Sequence, residues 1–325
     1  MNHNRVTGWA VALAAGVVLQ WPASTLGASR PDWAYPQVSP ARPAPVRADR
    51  PESVPGSRLH FTQAQIDDLS NTVDWFPERH PAIPAVVLHG RGPVLACAAC
   101  HLTSGMGHPE SARLAGLPAQ YIERQLREFK DGDRRDNARM SAIGGALAPT
   151  DAHAAAEWFA ELRPHPWFRV VETRRVPRSY VDRGRMRLPL PGGGSEPLGA
   201  RIVELPQDAT RTLRRDPNSG FITYVPPGSV ARGRILASTG GGKTVACTSC
   251  HGADLRGRSA IPNQGIHESV PGIAGSSALY LARQLYSFQI GTRAGAMAAV
   301  MKPIAATLSD EDLIDLAAYA ASLPP

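Results

Sequence analysis

The chain is poor in aromatic residues, which make up 6% of its 325 positions, and it has only four cysteines. So few rings make two large, self-sufficient apolar cores hard to build, although the length allows two ordinary domains. Long apolar runs are scarce too. The one at the N-terminus, Trp9 to Leu19, falls short of the about 20 residues a membrane span needs. No other stretch is long and apolar enough to cross a bilayer as a helix. Neither sign of charge dominates, since 35 basic and 28 acidic residues leave +7. The excess is local: residues 164–232 hold twelve arginines and six acids, so the flanking regions nearly cancel.

All four cysteines fall in one short motif, used twice. Cys97-Ala98-Ala99-Cys100-His101 recurs as Cys247-Thr248-Ser249-Cys250-His251. A single copy is open to several readings: a thioredoxin-like redox pair, half a zinc site, or a disulfide. Two disulfides would explain neither the repeated spacing nor the histidine that follows each pair. Cys-x-x-Cys-His is the attachment signature of c-type haem. Two thiols one helical turn apart can add across the two vinyl groups of one porphyrin, and the adjacent histidine is carried under the ring to the iron. The expectation is two covalently bound haem c groups, held by Cys97 and Cys100 with His101 on the metal, and by Cys247 and Cys250 with His251 on the metal. Haem would supply apolar surface that the chain lacks, and its propionates would add negative charge. No thiol is left for a structural disulfide or a nucleophile.

The remaining organisation follows in order. Residues 1–28 read as a secretory signal, with Arg5, the apolar run, and small residues from Ala23 to Ala28; an uncleaved anchor is the alternative. Residues 29–60 are a Pro-rich linker, including Pro43 and Pro45, expected to be extended and to form little core. From Phe61, Thr62 caps a short helix. Pro118 opens a helix whose stripe is Tyr121, Ile122, Gln125, Leu126 and Phe129, closed by Gly132. Another helix runs from about Thr150 to Leu162. Residues 164–228 change character, with short strands at 168–173, 200–205 and 221–225 between Gly/Pro turns. Ser229 caps a helix to about Ser238. Gly240-Gly241-Gly242-Lys243-Thr244 imitates part of a phosphate loop, but Ala237 stands where its first glycine would be, so it reads as a flexible turn. The stripe then returns: Gly116, Tyr121, Arg124, Gln125, Leu126, Phe129, Gly132 and Arg134 each match the same residue type 159 positions later. Ser309 caps a final helix with Leu313, Leu316, Ala317, Ala320 and Leu323 inward.

On these residues the chain resembles the class I cytochrome c domain in tandem, as in the periplasmic diheme cytochromes c. The resemblance covers about 85–163 and 229–325. It implies a mainly α fold of two class I cytochrome c domains, 61–163 and 229–325, with an Arg-rich irregular insert of short β strands at 164–228. It also implies distal methionine ligands. Met140 and Met301 each stand seven residues before the leucine that opens the closing helix. Met297 rivals Met301, although Met301-Lys302-Pro303 is nearer the family pattern. Met140 lacks that proline, which leaves His108 and His153 as alternatives. Pro271, whose carbonyl in the family orients the proximal histidine, corresponds to Ala112 in the first unit, so a first site that is looser or of different potential is expected.

The function implied is electron transfer in the periplasm rather than catalysis. A dehydrogenase or quinol-oxidising complex would be the donor, and an oxidase or reductase the acceptor. Membrane contact would come only through those partners or an uncleaved anchor. A diheme cytochrome c peroxidase-like enzyme is the alternative, and needs one haem without a sixth ligand. Thiosulfate oxidation at a Cys-ligated haem has no cysteine to use. The arginine run from Arg169 to Arg187 fits a solvated face or an acidic redox partner, and no nucleic acid.

Overall fold

Cap chemistry fixes the first helix. Thr62 Oγ1 accepts from the Gln65 amide while Gln65 Oε1 accepts from the Thr62 amide, a closed box that starts α1 (Gln63–Asp67). Chain order continues with α2 (Ala85–Leu88) and α3 (Ala98–His101). Pro118 precedes α4 (Ala119–Asp131), and Gly132, at φ 81°, takes the left-handed conformation that ends it. Next come α5 (Met140–Ala146) and α6 (Pro149–Glu161), both packed on α4. The computed structural model describes residues 1, 31–39, 50–136, 139–182, 185–260 and 269–325. Residues 2–28 of the expected signal segment, and 40–49 with Pro43 and Pro45, lie outside the described residues. No helix among those described is long and apolar enough to cross a membrane.

The middle segment holds β1 (Phe168–Glu172), β2 (Arg175–Pro177), β3 (Ser179–Val181), β4 (Arg187–Pro189), β5 (Ser195–Pro197) and β6 (Val203–Pro206). They are followed by α7 (Ala209–Leu213) and β7 (Phe221–Val225). β7 is central in a three-stranded sheet. It runs parallel to β1, with Phe168 opposite Phe221, and antiparallel to β6, with Val203 opposite Tyr224. β2–β5 and β3–β4 form separate antiparallel pairs. The segment is less of an appendage than its sequence implies. Phe221, at one end of β7, packs in the core around α6, while Val225, at the other, packs against α10 and α12.

The second helical set is α8 (Ser229–Thr239), α9 (Thr248–His251), α10 (Ala278–Gln289), α11 (Ala298–Ala306) and α12 (Asp310–Ser322). Its cap at α8 differs from expectation. Gly228 is the N-cap and Ser229 the first helical residue, where its hydroxyl accepts from Arg232. The predicted cap at Ser309 is present, with a second capping box to Asp312. α8 crosses α12 so closely that any side chain at Gly233 would collide with the Asp315 carbonyl. Lys243 is paired with Asp312 at 2.8 Å, and α8 ends at Gly240, φ 75°, consistent with a turn rather than a phosphate loop.

Residues of the expected linker join these cores. Ala34 is buried, Trp33 sits edge-on to Tyr286 at 6.3 Å, and the Tyr35 hydroxyl donates to the Arg283 carbonyl. Val54 packs with Trp75 and Phe76. Proline restricts the backbone of such a stretch but does not stop its aromatic residues from finding an apolar surface.

Glu204 on β6 pins the middle segment to the second helical set. It is 1% exposed, and its carboxylate accepts from Thr223 Oγ1 at 2.8 Å, Ser277 Oγ at 2.5 Å and the Ala278 amide at 2.8 Å. A strand remote in sequence thus caps the positive end of α10. Glu204→Ala orphans those buried donors. It should cost about 3 kcal/mol in chemical denaturation of the haem-loaded protein, and a loss below about 0.5 kcal/mol would refute this account.

Candidate functional site

Each Cys-x-x-Cys-His motif forms one helical turn. The His101 amide donates to the Cys97 carbonyl at 3.0 Å and the His251 amide to the Cys247 carbonyl at 2.9 Å, which brings both thiols of a pair to one side. The turn then breaks, at Gly252 with φ 85° in one copy and at Leu102 with φ 62° in the other. Leucine in that conformation is strained, and burial of its side chain in the first core offsets the strain.

The imidazoles are held alike. His101 Nδ1 lies 2.8 Å from the Ala112 carbonyl oxygen, and His251 Nδ1 lies 2.8 Å from that of Pro271. An imidazole N–H must donate to a carbonyl, so Nε2 carries the lone pair and is free for a metal. Burial lowers the pKa of both rings, which keeps them neutral, as ligation requires. The expected looseness of the first site is therefore not seen in this bond. The acceptor is backbone, and alanine presents the same carbonyl as proline.

The thiols do not resemble an activated redox pair. All four are free of disulfides, and burial pushes Cys97 up to about 12 and raises Cys100 and Cys247. Reactive redox cysteines are shifted the other way. Both motifs open into one cavity of about 1820 Å³. Small-molecule pockets span roughly 300–1,000 Å³, so this volume suits two large groups side by side. Met140, the first residue of α5, and Met301 in α11 line it, as do Met297 and Met186. His108 also lines it, and burial pushes its pKa down to about 3. His153 does not; it is exposed and bonded to Glu123 at 2.5 Å.

The repeated stripe has a second role that its periodicity did not disclose. Arg134 donates to Gln125 at 2.8 Å in its own unit, and across the interface to Tyr280 at 3.0 Å and Gln284 at 2.8 Å. Arg293 mirrors it, donating to Gln284 at 3.2 Å, Tyr121 at 2.9 Å and Gln125 at 2.8 Å. Each guanidinium also lies over a phenylalanine of its own unit, Phe129 at 4.5 Å and Phe288 at 4.6 Å. The two arginines face each other in a short antiparallel bridge. Arg113 reaches over to the carbonyls of Gly272 and Ala274, and Arg283 returns to Glu110 at 2.7 Å. The 159-residue offset marked most of these residues, but periodicity alone cannot tell a core stripe from an interface.

Paired thiols, a neutral imidazole fixed through Nδ1 and an apolar cavity define a protein that binds haem covalently. The cytochrome c family profile matches residues 230–324. The chain is similar to cytochrome c-554(548) of Halomonas halodenitrificans, at 40% identity over 86 residues, 26% of this chain and 94% of that one. It is also similar to a thiosulfate dehydrogenase electron acceptor of Thiomonas intermedia, at 28% identity over 230 residues, 70% of this chain and 78% of that one. Among solved structures it is similar to the thiosulfate dehydrogenase TsdBA of Marichromatium purpuratum, at 26% identity and a TM-score of 0.48, covering 74% of this chain and 39% of that one. The chain belongs to the cytochrome c family and is a diheme member with covalently bound haem c, and it carries two Cys-x-x-Cys-His sites, at Cys97/Cys100 and Cys247/Cys250.

Arg134→Ala removes a cation from three acceptors, the buried Gln125 and the half-buried Tyr280 and Gln284, on both sides of the interface. A loss of about 3 kcal/mol is expected by denaturation of the haem-loaded protein, with a coupling of about 1 kcal/mol to Tyr280→Phe in a double-mutant cycle. A coupling indistinguishable from zero would show that the network does not act across the units.

Proposed function

We propose that the chain is a periplasmic electron carrier built from two class I cytochrome c domains in tandem, 61–163 and 229–325, and exported by a cleaved signal at 1–28. The observation that carries this reading is the doubling of the whole site around one cavity: motif, imidazole-to-carbonyl bond and a methionine at the matched position. Bound haem supplies a one-electron couple. His101 and Met140 would ligate the first iron, and His251 and Met301 the second. Thioether sulfur paired with imidazole gives a higher potential than two histidines. With a histidine and a methionine of the chain holding each haem iron, neither site would offer peroxide a place to bind, so the peroxidase alternative is not favoured. Thiosulfate oxidation at a Cys-ligated haem is unsupported as well, because all four cysteines belong to the attachment motifs.

Arg134 and Arg293 have a further part in this reading. They are buried cations whose hydrogen-bond acceptors are neutral amides and phenols, at a cavity that would receive four propionates. They would hold carboxylates from both sites at the interface and fix the distance between the groups. The named function of the Thiomonas relative supports a dehydrogenase as donor, specifically a thiosulfate dehydrogenase. An oxidase or reductase would take the electrons onward.

Absorption and magnetic circular dichroism of the oxidised protein should give two methionine–iron charge-transfer signatures and no turnover of peroxide. Met140→Ala and Met301→Ala should each abolish one, and Met297→Leu should leave both. A five-coordinate high-spin site that turns over peroxide would replace the carrier with an enzyme.

A further inference from the structure

The two attachment motifs are alike in sequence and unlike in surroundings. Ala98 and Ala99 of the first are 0% and 2% exposed, while the corresponding Thr248 is half-buried and Ser249 exposed. Just upstream, Val94 and Ala96 are buried, whereas Val245 is 53% exposed. Among the described residues, the difference comes from chain that packs over the first motif and has no counterpart at the second. Helix α1 and the turn after α7 close over the first motif, and Arg215 joins them. At φ 59° it takes a left-handed conformation uncommon for a residue with a side chain. Its Nε donates to the Ile66 carbonyl at 2.8 Å, and its Nη1 donates to the Ala99 carbonyl inside the Cys-x-x-Cys turn. Asp67, the carboxylate whose charge acts on it, is exposed on α1. The second site contains the comparison. The Ser249 carbonyl also accepts from an arginine, Arg258 Nη2 at 2.9 Å, but Arg258 is exposed. Solvent and salt screen a charge there far more than one held behind protein.

We propose that the middle segment makes the two haems unequal: by sealing the first site and setting Arg215 against its attachment turn, it gives the first haem the higher reduction potential. This rests on the diheme carrier reading above. The ferric state carries one more positive charge than the ferrous state. A half-buried guanidinium nearby, less screened than one in open solvent, disfavours it, and exclusion of water from the site acts in the same direction. The open turn and screened Arg258 of the second site do neither. In the half-reduced protein one iron is ferrous and the other ferric. The electron rests at the first site, whose iron is reduced as that of the second is oxidised, and no bond forms or breaks.

A spectroelectrochemical titration of the haem-loaded protein tests this. Two one-electron waves are expected, and Met140→His identifies the one that belongs to the first site, which should be the higher. Arg215→Gln should lower that wave by about 59 mV, a tenfold change in how an electron partitions between the sites, and leave the other in place. Arg215→Lys, which keeps the charge, should restore most of the shift, and Arg258→Gln should move neither wave comparably. If Arg215→Gln does not fold, the order of the waves in the unmodified protein and the lysine variant still decide. The proposal is overturned if the wave moved by Met140→His is the lower one, or if Arg215→Gln and Arg258→Gln shift the waves equally. The carrier reading fails on a separate observation, the absence of two methionine–iron signatures before any substitution.

Discussion

Two buried guanidinium groups placed face to face are the constraint on which the rest of the molecule depends. Arg134 and Arg293 are 8% and 9% exposed, and like charges so placed repel unless anions or good acceptors surround them. The chain supplies two glutamines, two tyrosine hydroxyls and two aromatic faces in a crossed pattern, with the buried Glu128 close by. Each glutamine accepts from both arginines, and each tyrosine accepts from the arginine of the other repeat. Pulling the units apart would strand a cation on each side, and such losses cost more than the bonds appear to be worth while they are intact. Propionates would add the charge this cluster lacks, so docking of the units and loading of the haems stabilise each other.

The middle segment is a second brace, built differently. Strand β7 ends in one core at Phe221 and in the other at Val225. Trp167 extends the first contact, donating to the Gly107 carbonyl at 3.0 Å just beyond the first motif, and Glu204 anchors the second. The network at Arg134 and Arg293 fixes the units where their α4 and α10 stripes meet. The sheet fixes them again through α6 and α12. Two separated attachments resist rotation as well as separation, which one polar cluster alone would not do.

How much of this the sequence disclosed depended on whether a feature is local. The Cys-x-x-Cys-His turns, the Thr62 and Ser309 caps and the ends of α4 are decided within a few residues, and they were legible. So was the duplication, because Tyr121, Gln125, Phe129 and Arg134 keep their spacing. Partners distant in sequence were not. Nothing near Glu204 announces that it caps a helix starting at Ala278. The arginine run from Arg169 to Arg187 read as a solvated face or a docking patch, but the arginines that follow it in the same basic region are structural. Arg211 pairs with Asp216 at 2.7 Å, Arg201 with Glu196 at 2.7 Å and Arg214 with Glu52 at 2.5 Å, while Arg215 turns inward. Charge counting registers the sign of a region, and only the tertiary fold decides which charges reach solvent.

The same distinction separates the two sites. Sequence comparison located the asymmetry at Ala112 against Pro271, but a hydrogen bond to a carbonyl is indifferent to the side chain, and both are 2.8 Å. The inequality lies in what covers each motif. Around Cys97 the chain spends segments 50–89 and 208–219 on enclosure and accepts a leucine at positive φ to fill the core. Around Cys247 it keeps Gly252 and an exposed Ser249. A duplicated unit can preserve its Cys-x-x-Cys-His turn while its environments diverge, because the turn is fixed locally and the dielectric is set by chain arriving from elsewhere. Two sites alike in their turns need not share one potential.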